Sequence, residues 1–264
     1  MPVKSKGKSW SQDELVLVCN LYFSIPFGQM HARNPKVIAM AGILGRTPGS
    51  IAMKLVNFAS LDPALQARGI SGLRGVTQAD RRVWEEFHSN WSVLATASEK
   101  LLSELISAQP AQARKLDLAL PVFIPSPTHP TDTIATVRVR TMQTFFRKVV
   151  LAAYECRCCV TGNPVPELLI ASHILPWSQF PEQRLNPQNG LCLAAHFDRA
   201  FDQGLITFGN NMELLLSSEL RAYLPEKTLE REFLSVEGAP LRAPERFQPD
   251  KGFLDFHRRK IFRS

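Results

Sequence analysis

Apolar residues recur at helical spacing through the first hundred positions of the chain, between short segments that carry helix start and stop signals. Ser11 and Glu14 form a capping-box pattern, in which a serine caps the helix and a glutamate reaches back to the cap. Asn34-Pro35 and Thr47-Pro48 each place proline directly after a capping residue, as at many helix starts. Gly45, between them, is a typical C-terminal stop. The pattern predicts a series of short helices.

The helical pattern continues to residue 107 and then gives way to a proline-rich segment. Residues 77–80, Thr-Gln-Ala-Asp, resemble a second capping box, and residues 92–107 are typical of one more helix. Residues 108–131 contain five prolines, which break helices and stiffen loops. We therefore predict a helical domain over residues 1–107 and a linker over residues 108–131.

A mixture of strand and helix periods follows the predicted linker. Residues 133–141, TIATVRVRT, alternate like a half-buried strand, whereas residues 142–155, MQTFFRKVVLAAYE, have the period of an amphipathic helix. From Cys156 onward the pattern predicts short strands, turns and one short helix. The predicted fold class is α+β, with a helical N-terminal domain followed by a second domain over residues 132–264.

Composition narrows the class of protein. Hydrophobic residues make up 45% of the chain, which allows a sizeable buried core, and no apolar run approaches the length that spans a bilayer. The lysine-containing N-terminus lacks the apolar stretch of a secretory signal, and five cysteines, an odd number, do not suggest a disulfide framework. We expect a cytoplasmic protein with no membrane partner. The net charge of +7 weakly favours a polyanionic partner.

The candidates for chemistry lie within thirty residues of one another. His173 stands in ASHILPW, Asn189 in NPQNGLCL, and Asp198 and Asp202 in HFDRAFDQGL. The two aspartates are four positions apart, so both carboxylates project from one face of a helix. Carboxylates that close repel each other unless a cation lies between them, and their oxygens suit Mg²⁺ or Mn²⁺. A strand, a loop and a helix carrying these residues would form a ββα unit around one metal ion.

These stretches resemble the HNH endonucleases, whose motif is the ββα-metal nuclease fold. The segments YECRCCVTG, SHILPW, NGLCL and FDQGLI agree with the family pattern in order, over residues 136–210. The resemblance implies catalytic roles for His173 and Asn189, the first as the general base and the second as the residue that holds the base's loop. It also implies that Asp198 and Asp202 hold a divalent ion at the scissile phosphate.

Two departures from the family pattern affect the implied metal site. Many family members carry Asp or His directly before the general base, where this chain has Ser172, a poor ligand. Asp198 stands in the position of the motif's last histidine. We therefore expect a weakly held Mg²⁺ or Mn²⁺ and not a tightly held Zn²⁺.

Cys156 and Cys159 have the C-x-x-C spacing of a zinc ligand pair. A structural zinc site takes four ligands, and the places of a second pair are occupied by Ala194 and Phe197. Cys192 and a nearby histidine could substitute only with a different geometry. We expect buried free thiols and no structural zinc.

Residues 41–58, AGILGRTPGSIAMKLVNF, have the order helix, tight turn, helix. They resemble helix-turn-helix or Myb-like DNA-binding domains, and a small packing or protein-interaction domain remains the alternative. In the DNA-binding interpretation, three apolar residues face the core: Ile51, Leu55 and Phe58. Four polar residues would be exposed and would contact phosphates or base edges: Arg46, Ser50, Lys54 and Asn57.

The sequence as a whole is best explained by a metal-dependent endonuclease that hydrolyses DNA, of the kind found among bacterial restriction and defence nucleases. Two other functions remain open. The first is a non-enzymatic DNA-binding regulator with a vestigial HNH unit, which Ser172 keeps in consideration. The second is a nuclease that acts on RNA when a partner activates it. A homodimer or a defence-system partner protein is compatible with each of these functions.

Overall fold

The computed structural model describes residues 9–70, 75–108 and 134–264, apart from the side chains of 134–141. The chain divides into two units, Met1–Tyr22 with Met30–Leu116 and Phe23–Gln29 with Asp117–Ser264. The predicted linker lies outside the described residues, except for its first residue. No helix in the described ranges is both long and apolar enough to cross a membrane.

Six helices form the described part of the N-terminal unit, and their starts agree with the sequence signals. In chain order they are α1 (Gln12–Phe23), α2 (Pro35–Leu44), α3 (Pro48–Ala59), α4 (Pro63–Ala67), α5 (Gln78–Ser89) and α6 (Trp91–Ala108). The Ser11 hydroxyl accepts from the Glu14 amide and the Glu14 carboxylate accepts from the Ser11 amide, so the predicted capping box is confirmed. Asn34, Thr47 and Thr77 cap α2, α3 and α5 as predicted.

From residue 134 onward, the C-terminal unit consists of a long helix followed by two hairpins with short helices. In chain order the elements are α7 (Ile134–Ala153), β1 (Leu169–His173), β2 (Gly190–Ala194), α8 (Ala195–Asp202), β3 (Ile206–Phe208), β4 (Leu214–Leu216), α9 (Ser218–Arg221), α10 (Lys227–Glu232) and α11 (Lys251–Lys260). The predicted α+β class with a helical N-terminal part is confirmed.

Two predictions about the C-terminal unit are wrong. The strand predicted over residues 133–141 falls, from Ile134 onward, in the first turns of α7. Extending a helix adds one backbone hydrogen bond per residue fixed, and this gain outweighs a short alternating pattern without a partner strand. Beyond β4 the chain forms three further helices instead of turns alone. The last of them, α11, is capped by the Asp250 side chain, which accepts from the amides of Gly252 and Phe253.

Strands β1 and β2 and helix α8 form a ββα unit. The strands pair antiparallel, with Leu169 opposite Ala194 and His173 opposite Gly190. Helix α8 follows β2 without a loop. A Cβ atom on Gly190 would lie 2.4 Å from the Val150 side chain, so glycine is required for the strand to approach α7. This packing fixes the end of β1, where His173 lies.

Candidate active site

Three of the predicted site residues meet at one cavity of about 450 Å³ in the C-terminal unit. His173 lines it from the end of β1, and Asp198 and Asp202 line it from α8. The fourth, Asn189, is not among the lining residues. The cavity also has an apolar side, which includes Trp177. The ββα unit therefore brings a histidine and two carboxylates to one space, as the spacing predicts.

The His173 ring is held on three sides. It stacks on Phe146 at 3.8 Å between ring centroids and meets Trp177 edge to face at 5.2 Å. Its Nε2 lies 2.9 Å from the Arg184 carbonyl oxygen. A carbonyl only accepts, so Nε2 carries the proton, and in the neutral ring Nδ1 is the free basic nitrogen. Burial lowers the pKa of His173, which favours this neutral form at pH 7.

Asn189 supports the loop that holds His173, from a position that is 1% exposed. Its side-chain oxygen accepts from the Leu175 amide at 2.7 Å, and its side-chain nitrogen donates to the Gln183 carbonyl at 3.1 Å. Its own carbonyl accepts from the Ile174 amide at 3.0 Å. These bonds join the residues after β1 to the loop before β2. Asn189 thus has the geometry of a positioning residue.

Asp198 is half-buried, whereas Asp202 is exposed as a residue although its carboxyl group is partly enclosed by the cavity, and the charge of Asp198 acts on Asp202. Burial raises the pKa of Asp198. Burial, and then the charge of Asp198, raises the pKa of Asp202 to about 6. Two carboxylates in such surroundings gain from a cation placed between or beside them. The site is therefore electrostatically suited to a positive ion.

Ser172 adds a third oxygen to the same cavity. Ser172 is 2% exposed, and its hydroxyl makes no hydrogen bond of standard geometry to a described residue. The hydroxyl lies near enough to Asp198 to lower the pKa of that carboxyl. A buried hydroxyl needs a hydrogen-bond partner, which the Asp198 carboxylate, a water or an ion can supply. The donor set of two carboxylates and one hydroxyl fits a hard cation that keeps several waters. No group of three or more His, Cys, Asp or Glu ligands occurs in the described ranges.

His257, which the sequence analysis missed, also lines the cavity. It lies on α11, is 1% exposed and stacks on the Phe201 ring at 3.7 Å between centroids. Its Nε2 is 3.0 Å from the Phe201 carbonyl oxygen, and its Nδ1 is 2.9 Å from the Thr207 hydroxyl. Phe201 lies between the two aspartates on α8, so His257 connects α11 to the helix that carries them. No local sequence signal indicates this, because the histidine follows Asp202 by more than fifty positions.

The stability of the C-terminal unit should depend on pH through His257. Burial lowers the pKa of His257 to about 4, below the value near 6.5 of an unfolded histidine. The neutral buried ring contributes its full share to the free energy of unfolding above pH 6.5. This share is lost as the pH falls towards 4, at up to about 1.4 kcal/mol per pH unit. We therefore measure urea unfolding of the wild type and of His257→Asn at pH 7 and at pH 5. The difference between their free energies of unfolding should be smaller at pH 5. The exposed His31→Asn serves as the control, and an unchanged difference for His257→Asn would contradict the neutral buried ring.

The cysteines near the ββα unit form no disulfide bond. Cys158, Cys159 and Cys192 are buried and Cys156 is half-buried. The Cys158 sulfur accepts from the Ala194 amide at 3.2 Å, and burial raises the pKa of Cys159 and of Cys192. Neutral thiols of this kind pack as small apolar groups. The absence of structural zinc stays a prediction.

The exposure predicted for the polar residues of α3 and its preceding turn is largely wrong. The Lys54 ammonium lies 2.7 and 2.9 Å from the two carboxylate oxygens of the buried Asp80. Asn57 is 5% exposed and donates to the Gly75 carbonyl. The Arg46 side chain is 8% exposed and pairs with Glu14.

Lys54 and Arg46 are tolerated inside the unit because acidic residues of other helices supply counter-charges, whereas the neutral Asn57 amide needs only a backbone carbonyl. Ser50, the remaining candidate, is half-buried and donates to the Thr47 carbonyl. The three apolar residues of α3 are buried as predicted. The proposed contacts to nucleic acid stay a prediction. Three of the four side chains, those of Arg46, Lys54 and Asn57, lack the exposure that such contacts need.

The family comparison agrees with the site. Residues 158–209 match the family model of the HNH endonucleases. The resemblance drawn from the sequence motifs is thereby confirmed, and we call this range the HNH unit. It contains His173, Asn189, Asp198 and Asp202, whereas His257 lies outside it. No curated protein matches the chain. The C-terminal unit therefore contains a region that matches the HNH endonuclease family, and α11 adds a wall to its cavity from beyond the match.

Proposed function

We propose that the protein is a Mg²⁺- or Mn²⁺-dependent endonuclease that hydrolyses DNA phosphodiester bonds. The observation that carries this proposal is the cavity of the HNH unit, where a half-buried histidine with a defined tautomer faces the same space as two carboxylates of α8. HNH nucleases in general depend on a divalent metal, and the oxygen donors of the cavity fit such an ion.

In this mechanism His173 is the general base. Its Nδ1 takes a proton from the attacking water as the water oxygen bonds to phosphorus, and the bond from phosphorus to the leaving oxygen breaks. The bond from Nε2–H to the Arg184 carbonyl keeps the ring oriented and stabilises the imidazolium that forms. Asn189 acts one step further away by holding the loop that supplies this carbonyl. The lowered pKa of His173 keeps the base unprotonated at neutral pH.

Asp198 and Asp202 would hold the divalent ion, with Ser172 as a neighbouring oxygen. A bound ion would supply charge stabilisation at the phosphate and at the leaving oxygen. Because the protein offers few ligands, waters and the substrate phosphate would complete the coordination, which is typical of Mg²⁺. Loose binding is thus a consequence of the donor set.

We further propose a restriction or defence role for the nuclease in the cytoplasm, with DNA selected by the helical N-terminal unit. The order of α2, a tight turn at Gly45 and α3 supports a helix-turn-helix interpretation of that unit. The basic composition of the chain supports a nucleic-acid partner. Lys54 and Asn57 have no part in this proposal, since both are buried.

Cleavage of supercoiled plasmid tests the proposal directly. We expect the purified full chain to nick or linearise plasmid with Mg²⁺ or Mn²⁺, to lose this activity in EDTA and to regain it when the ion is restored. RNA in parallel reactions decides between DNA and RNA as substrate. Absence of cleavage with every ion and nucleic acid would favour a DNA-binding regulator with a vestigial HNH unit.

Asp198→Asn should raise the Mn²⁺ concentration that gives half-maximal cleavage by about tenfold or more, ~1.4 kcal/mol. The substitution removes one negative charge from the cavity while keeping the side chain's shape. Asp202→Asn should have the same effect less strongly, or no effect if that residue only braces the turn at the end of α8. The control is Asp255→Asn on α11, whose carboxylate pairs with arginines of the same helix. Equal metal dependence in all four proteins would contradict the assigned ligands.

A further inference from the structure

Arg184 lies beside the catalytic cavity, where its side chain is held against Trp177. Its Nε donates to the Trp177 carbonyl at 2.8 Å, and its guanidinium carbon lies 4.9 Å from the centre of the Trp177 ring. Trp177 in turn lines the cavity beside His173. A cation over an aromatic face is held by electrostatic attraction as well as by packing. The side chain is therefore positioned before any substrate arrives.

The charge of this side chain has no acidic partner in the part of the chain that the structure describes. Its two terminal nitrogens make no hydrogen bond or ion pair to any described residue, and the side chain is half-exposed. Three other arginines of the C-terminal unit differ in this respect. Arg147 donates to two backbone carbonyls, and Arg258 and Arg263 bond to carboxylates. An oriented guanidinium with both terminal nitrogens available is the arrangement that binds an anion with two parallel bonds.

The anion would lie close to the reacting groups. The Arg184 carbonyl accepts from Nε2 of His173, so the residue and the base are in direct contact through the backbone. The guanidinium is near enough to His173 for its charge to contribute to the lowering of that ring's pKa. Any strand placed for attack by the water at His173 must therefore bring its negatively charged backbone near this cation.

We propose that Arg184 binds a backbone phosphate of the nucleic-acid substrate beside the catalytic cavity, an inference that rests on the proposed nuclease function. Guanidinium groups match the geometry of phosphate oxygens better than ammonium groups do. A contact of this kind positions the strand and carries no base preference. It supplies the positive charge that the two aspartates of the cavity cannot.

The test is the salt dependence of DNA binding, measured in EDTA so that no cleavage occurs. Fluorescence anisotropy of a labelled DNA duplex is recorded for the wild type, Arg184→Gln and Arg184→Lys over a range of salt concentrations. We expect Arg184→Gln to bind more weakly and to reduce the slope of log K against log salt by about 0.9, the value for one lost phosphate contact. Arg184→Lys should keep the wild-type slope, because it keeps the charge.

The control is Arg231→Gln on α10, an exposed arginine whose guanidinium pairs with Glu232. Its slope should match the wild type. If Arg184 only braced Trp177, both Arg184 variants would lose affinity with the slope unchanged, and the inference would be wrong. Because binding is measured without metal, the result is independent of activity. A wild type that never cleaves contradicts the proposed function alone, whereas an unchanged slope contradicts the phosphate contact alone.

Discussion

Replacing His173 by alanine is expected to slow cleavage by about 10²–10⁴-fold, the range typical of losing a general base. The ring contributes through Nδ1, since Nε2 is engaged with the Arg184 carbonyl. Affinity for DNA should change little, because the histidine is proposed to act on water and not on the phosphate. Single-turnover rates at saturating Mn²⁺ and binding in EDTA measure the two effects separately.

Loss of the stacked ring also leaves a space next to Phe146, so folding must be controlled. His173→Gln retains bulk and an amide donor for the Arg184 carbonyl, yet provides no base. We expect it to be as inactive as the alanine variant and closer to the wild type in thermal stability. The exposed His31→Ala should keep full activity. Wild-type rates in folded His173→Ala would remove the histidine from the mechanism.

Replacing Lys54 by methionine is expected to lower the free energy of unfolding by about 3–5 kcal/mol, the cost of leaving one half of a buried ion pair alone. Asp80 is 0% exposed and would keep its charge without its ammonium partner. The carboxylate would retain only weaker neutral donors, among them the Thr77 amide. Urea unfolding of the full chain gives the comparison.

The double variant Lys54→Met/Asp80→Asn separates the ion pair from lost packing. It removes both charges and should recover a large part of the lost stability, whereas simple loss of the lysine stem would not be recovered. A loss below 1 kcal/mol in Lys54→Met, accompanied by weaker DNA binding, would instead support the surface contact that the sequence predicted. Binding data for Lys54 variants therefore need an unfolding curve beside them.

Local signals in the sequence predicted much of the architecture correctly. Helix starts at Asn34, Thr47 and Thr77 depend on a side chain and amides two or three positions away, so a single sequence contains the whole interaction. The same holds for the i, i+4 aspartates of α8. The HNH pattern could be recognised because its segments lie within about fifty residues, as the matched range 158–209 shows.

Interactions between distant positions account for the errors. Lys54 has the appearance of a surface residue until Asp80, 26 positions later, is placed against it. His257 belongs to the cavity only because α11 returns to Phe201 and Thr207. Arg184 lies in a loop without an apolar–polar period, and the orientation of its guanidinium depends on the Trp177 ring. A pattern of apolar and polar positions along one element contains none of these partners.

The return of α11 to the cavity also bears on how such a nuclease can be shared between proteins in evolution. A gene segment that encodes only residues 158–209 would carry the recognisable motif but not the wall formed by His257 and Ile261. A Cβ atom on Gly204 would lie 2.1 Å from the Ile261 carbonyl oxygen, so the chain just after α8 is shaped to receive that wall. The segment that forms the complete cavity is therefore longer than the segment that matches the family. A fusion or truncation made at residue 209 would separate the motif from the wall that α11 provides.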